Sequence, residues 1–268
     1  MPETMQSEIA SPTAKEAERP KETRKEPNRR WFPFRFDLAE QDQFKALTPR
    51  KRVILLDIYY RLGEHLGLYE KGYRQIPYYV EADAKWADRL RVGIKTFRDA
   101  RYELGRDISG RSKNCGLGWF DYRPGHGDCN GKMYRTEYHE AKFARVRRGE
   151  GNRCATIDRH TWGVLIAGLK KKQERLEHAD LATFTALAYL WERCGGPGKG
   201  RVLFYIAEIE PLTGIAVETF MNSLERIATL GLFTSQAGRE RKKWTVEVAD
   251  WRPIPDGRTL ADVSLQAL

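Results

Sequence analysis

With 268 residues, 41% of them hydrophobic, the chain is long enough for two domains of roughly 100–130 residues with real cores. No apolar run approaches the roughly 20 residues of a membrane span, and the N-terminus MPETMQSEIASPTAKEAERPKETRKEPNRR lacks the apolar stretch of a secretory signal. Four cysteines (Cys115, Cys129, Cys154, Cys194) make no disulfide framework, so a cytoplasmic protein is expected and a membrane partner is not. The net charge of +10 is unevenly spread: residues 89–148 carry fifteen Lys/Arg against seven Asp/Glu, whereas residues 1–30 carry seven against six. A basic excess gathered in one folded segment is the pattern a polyanion-binding face leaves.

Residues 1–30 hold almost no large apolar side chain and read as a disordered charged tail. Order is expected from the aromatic cluster Trp31-Phe32-Pro33-Phe34-Arg35-Phe36. Thr48-Pro49 has the form of an N-cap followed by proline at the first helical position, opening a helix to about Leu66 with Val53, Leu56 and Tyr60 inward. Pro77 makes 74–80 extended. Helices follow over about 81–90 and 93–105, then two strands, 116–122 and 132–138, separated by the loop PGHGDCNG. Helix, short strand, two helices and a hairpin is the order of a winged helix domain.

After a linker at 144–153 the order returns. One or two helices cover 158–194, and the run Cys194-Gly195-Gly196-Pro197-Gly198 should stop any helix. A strand at 201–206, a helix at 207–212, a turn at Thr213-Gly214-Ile215 and a helix at 216–230 lead to a second hairpin, with its turn at Ala237-Gly238-Arg239. The expected fold is therefore α+β and mostly helical. It consists of a first winged helix domain at 31–143, a second at 154–252, and a C-terminal tail at 253–268.

The third helix of each unit is the candidate DNA reader. In GIKTFRDARYELG the apolar residues Ile94, Phe97, Ala100 and Leu104 should face the core. Lys95, Arg98 and Tyr102 then lie opposite, with Arg101 near the boundary. A helix laid in a major groove needs an apolar anchor and long donors reaching base edges and phosphates. In the second unit Val217, Phe220, Leu224 and Ile227 should face inward, leaving Glu218, Thr219, Asn222, Glu225 and Arg226 outward, a polar face of mixed sign. Arg111, Lys113, Arg123, Lys132 and Arg135 belong to or flank the first hairpin, and Arg239, Arg241, Lys242 and Lys243 crowd the second. Basic hairpins of this kind contact phosphates, which position a protein without reading sequence.

Catalytic constellations are weaker. Cys115, His126, Cys129 and His139 could ligate zinc, but C-x10-H-x2-C-x9-H matches no standard structural pattern. The five histidines include no H-x-H pair for a metal-dependent nuclease, and GPGKGR at 196–201 is too short for a phosphate loop. Asp57, Asp83 and Asp88 read as isolated helix-surface or capping groups. No enzyme activity and no cofactor are expected.

The segment WFPFRFDLAEQDQFKALTPRKRVILLDIYYRLGEHLG resembles the N-terminal domains of plasmid and phage replication proteins, and LTGIAVETFMNSLERIATLGLF resembles the turn and third helix of winged helix domains. Two tandem winged helices with a tail are also the architecture of plasmid replication initiators that bind iterated origin repeats. The resemblance implies sequence-specific binding of double-stranded DNA, recruitment of host replication proteins, and repression of the protein's own promoter as a homodimer. Lys95, Arg98, Arg101 and Tyr102 would read bases in the first unit, and Thr219, Asn222 and Arg226 in the second, with Arg241, Lys242 and Lys243 on phosphates. Two alternatives stand beside it: a winged helix transcriptional regulator on a palindromic operator, and a non-catalytic assembly subunit whose winged helices bind protein or RNA.

Overall fold

The computed structural model describes residues 31–69, 79–110, 116–127, 134–141, 154–170, 176–240, 243–259 and 262 of an α+β chain. The tail at 1–30 and the linker at 144–153 lie outside the described residues.

The aromatic lead forms a strand, β1 (Trp31–Arg35), followed by the short helices α1 (Phe36–Ala39) and α2 (Asp42–Lys45). Helix α3 (Pro49–Tyr69) starts where the Thr-Pro signal places it, and the Lys51 N–H donates to the Thr48 hydroxyl at 3.4 Å. Next come β2 (Tyr79–Ala82), α4 (Asp83–Arg89), α5 (Ile94–Leu104), the two-residue β3 (Arg106–Asp107), β4 (Phe120–Gly127) and β5 (Tyr134–Ala141). These strands form one sheet in the order β2-β5-β4-β3, antiparallel except for the β3–β4 pair.

The remainder runs β6 (Cys154–Asp158), α6 (Arg159–Lys170), α7 (His178–Arg193), α8 (Gly196–Lys199), β7 (Arg201–Tyr205), α9 (Ile206–Thr213), α10 (Val217–Ala228), β8 (Thr234–Glu240) and β9 (Lys243–Ala249). Its sheet has the order β7-β9-β8. Two local expectations are corrected. The glycine-rich run ends α7 at Arg193 as expected but is not itself free of helix, because Gly196–Lys199 makes a single helical turn. The hairpin turn is not at 237–239 either: β8 stays paired through Glu240, with Arg239 opposite Trp244 and Glu240 opposite Lys243. Residues 241–242, which connect the two strands, lie outside the described residues.

The boundary at 144–153 is not a break in the core. β1 pairs antiparallel with β6, from Trp31 opposite Asp158 to Arg35 opposite Cys154. The two-residue period of a strand turns Phe32 and Phe34 inward with Ala155 and Ile157 across from them, all four buried. One apolar cluster then runs from Phe32 to Ile254. Its axis is α7, where every residue from Asp180 to Trp191 is buried, as expected of a helix apolar on all sides; it packs on α3, α10 and β6. A Glu177–Asp180 capping box starts that helix. After β9 the Trp251 ring stacks on Phe184, Trp191 and Phe233, and the Ile254 N–H donates to Thr161 Oγ1 at 2.9 Å, so the chain stays packed beyond residue 252.

A buried arginine ties the two halves together. Arg52 of α3 donates to four main-chain carbonyls: Leu47 at 3.1 Å, Lys45 at 2.5 Å, Thr213 at 2.6 Å and Gly214 at 2.9 Å. Its guanidinium also lies over the Phe44 ring, and burial pulls its pKa down to about 10. Gly214, with φ +65°, closes α9 so tightly against the first half that an added Cβ would sit 2.3 Å from the Lys45 carbonyl.

Candidate nucleic-acid interface

Helix α5 begins directly after Gly93, which holds an extended N-cap conformation. Phe97, Ala100 and Leu104 anchor it, with Phe97 stacked on Trp86 of α4 at 5.7 Å. The opposite face carries Lys95, Arg98 and Tyr102, all exposed, so these three share a surface as the helical spacing requires. Ile94 does not face the core: it is 44% exposed. An exposed apolar side chain there suits contact with a thymine methyl, and the sequence reading missed it by assigning it to the buried stripe.

Arg101 is also not on that face. It is 7% exposed, and its guanidinium reaches the Asp83 carboxylate, the Thr136 hydroxyl at 2.7 Å and the Tyr122 ring at 5.0 Å. Asp83, buried at the start of α4, accepts from Arg98 Nε at 2.8 Å and from Thr136 Oγ1 at 2.9 Å as well. One carboxylate thus holds two arginines of α5, Arg101 inside and Arg98 half outside. Burial acts against the Arg101 charge, but Tyr138 and Asp83 beside it more than offset this, and its pKa is shifted upward. Burial pushes the Tyr138 phenol up, so it stays neutral.

The aspartates read as surface or capping groups include two that are buried. Beside Asp83, Asp57 of α3 is fully enclosed, accepting from Arg89 Nη2 at 2.6 Å and Trp162 Nε1 at 3.1 Å. Burial pushes its carboxyl up to about 7. Both serve as internal anchors for arginines, which the spacing along one chain does not reveal.

The first hairpin places Arg135 exposed on β5, and Arg123 of β4 lies 3.9 Å from Glu137 across the ladder. Arg111, Lys113 and Lys132 lie outside the described residues, as do Cys115 and Cys129. The backbone of His126 is described but its side chain is not, and His139 lies 3.3 Å from Glu137. Among the described residues no group of three or more His, Cys, Asp or Glu is placed to hold a metal.

In the second half α10 buries Phe220, Leu224 and Ile227 as the spacing predicts, with Val217 half-buried. Asn222 is exposed and Thr219 half-buried. Arg226 is turned back onto α7, where it donates to Asp180 Oδ1 through Nε at 2.9 Å and Nη2 at 2.7 Å; Asp180 itself is fully enclosed. This pairing raises the Arg226 pKa and makes the side chain a brace between helices. Glu218 and Glu225 remain exposed beside Asn222, whereas the exposed acids of α5, Asp99 and Glu103, stand beside the exposed cations Lys95 and Arg98. On the second hairpin Arg239 and Lys243 are exposed, and Arg241 and Lys242 lie outside the described residues. No helix of the described residues is long and apolar enough to cross a membrane.

No protein-family model matches the chain, and neither the curated proteins nor the solved structures include a significant match.

Proposed function

We propose that this chain binds double-stranded DNA through two winged helix-turn-helix units, and that it acts as a plasmid-type replication initiator on repeated origin sites. The observation that carries the reading is the shared strand order of the two sheets. In each half the strand between the first and second helix of the trio pairs with the last strand of the hairpin (β2 with β5, β7 with β9). The third helix is thereby set beside a hairpin, as a winged helix needs for simultaneous groove and phosphate contact. The exposed α5 face of Ile94, Lys95, Arg98 and Tyr102 supports the first unit as the base reader. The exposed Glu218 and Glu225 of α10 and the engaged Arg226 support a lesser share for the second unit, with Arg239 and Lys243 acting on phosphates.

The test is binding to duplex DNA from the gene's own neighbourhood as a function of salt, wild type beside Lys95→Ala and Lys95→Ala/Arg98→Ala. Each phosphate neutralised contributes about −0.9 to the log–log slope. We expect a steep wild-type slope that Lys95→Ala flattens by about one phosphate equivalent, and a footprint of direct repeats. A palindromic footprint would replace the initiator with a regulator, and a flat slope with weak binding would overturn DNA binding itself, in favour of protein or RNA partners.

A further inference from the structure

At the end of the β8–β9 hairpin where β8 passes into β9, Trp244 is 62% exposed, more than any other large apolar side chain among the described residues. The strand period explains its position. Trp244, Val246 and Val248 share one face of β9; the two valines are fully buried, but the face runs past the end of the core before it reaches Trp244. A lone exposed apolar side chain is ordinary. This one has company: the Arg239 guanidinium, opposite in register, lies 5.8 Å from the indole centroid, and Lys243 Nζ lies 4.8 Å from the Tyr205 ring on the other face. Glu240, in register with Lys243, is the carboxylate nearest in sequence.

We propose that this hairpin end is a subsite for single-stranded DNA, where the Trp244 indole stacks on an unpaired base while Arg239 beside it holds a flanking phosphate. The inference rests on the DNA-binding reading above. An exposed flat ring beside a cation is what sequence-tolerant strand binding uses. The side chains that pry apart a paired duplex are compact apolar wedges such as Phe, Leu or Pro. An indole braced by a guanidinium fits better against a base already out of its stack.

The experiment titrates the full chain with a roughly 12-nucleotide oligothymidylate, about the length one compact binding site covers, and separately with the duplex. Wild type, Trp244→Phe and Trp244→Ala are compared, and far-UV circular dichroism checks their fold. We expect Trp244→Ala to weaken oligothymidylate binding about fivefold or more, Trp244→Phe to retain most of it, and duplex affinity to be unchanged in both. The indole fluorescence quenched by oligothymidylate in wild type should be missing from Trp244→Phe. Equal affinity of Trp244→Ala and wild type for oligothymidylate would overturn the proposal. Duplex binding without strand binding overturns it too while leaving the DNA-binding reading intact; strand binding without duplex binding does the reverse.

Discussion

Replacing Arg52 tests whether the two halves are held by a buried cation whose hydrogen-bond partners among the described residues are main-chain carbonyls. Its guanidinium is surrounded by the carbonyls of Lys45, Leu47, Thr213 and Gly214, at 2.5 to 3.1 Å. Each buried carbonyl left without its donor costs at least about 1 kcal/mol, so four cost about 4 kcal/mol. That is the expected loss for Arg52→Met, which keeps most of the volume and removes the donors. Arg52→Ala should lose more, because a cavity adds to the unsatisfied carbonyls. Urea unfolding followed by circular dichroism reads both, from the midpoint at constant slope. If Arg52→Met unfolds within about 0.5 kcal/mol of wild type, the four-carbonyl clamp is not what holds the α9–α10 turn against α3, and the reasoning fails.

The two basic residues of α5 with opposite surroundings should separate cleanly. Arg101→Met leaves the enclosed Asp83 with Arg98 as its remaining cation and should cost about 3 kcal/mol in stability, whereas Lys95→Ala should cost under about 0.5 kcal/mol; denaturant melts of the two variants check this. His178, at the positive end of α7, donates from Nε2 to the Leu90 carbonyl at 2.8 Å, and burial, together with Arg50 and Arg91, lowers its pKa. Below the ordinary histidine pKa the unfolded chain takes up a proton that the folded chain resists, so the His178 contribution to stability should fall as pH drops from 7.5 toward 5.5, against the opposite slope set by the raised Asp57 carboxyl over the same window. The stability difference between wild type and His178→Gln, read by thermal melts, should therefore shrink as pH drops, and a difference constant with pH would refute the assignment.

What was legible in the sequence was whatever a local pattern encodes. Thr48-Pro49 marked the start of α3, the spacing of Phe97, Ala100 and Leu104 marked the buried stripe of α5, and Thr213-Gly214-Ile215 marked the turn before α10. Side chains whose partners lie far along the chain were not legible. Arg226 sits on the outward arc of α10 by spacing, yet Asp180, 46 residues earlier, draws it inward. Arg101 lies near the edge of its helical face, and Asp83 on another helix decides which side it takes. Trp244 shares a period-two face with the buried Val246 and Val248, and alternation alone does not say where that face leaves the core. Arg52 shows no sequence signal at all, because its four acceptors are main-chain oxygens.

The pairing of β1 with β6 bears on how the chain is made. Trp31 meets Asp158, so the first strand must wait for about 127 more residues to be synthesised. At ~5–20 residues per second, that is a delay of roughly 6–25 s. During that interval Phe32 and Phe34 have neither Ala155 nor Ile157 to cover them, and Trp162, 5.8 Å from Phe32 in the finished protein, has not yet been added. The early half of the nascent chain therefore cannot complete its own packing on the ribosome. Cutting the gene at the apparent linker would make that interval permanent, leaving an aromatic strand with an open edge and a fragment prone to self-association.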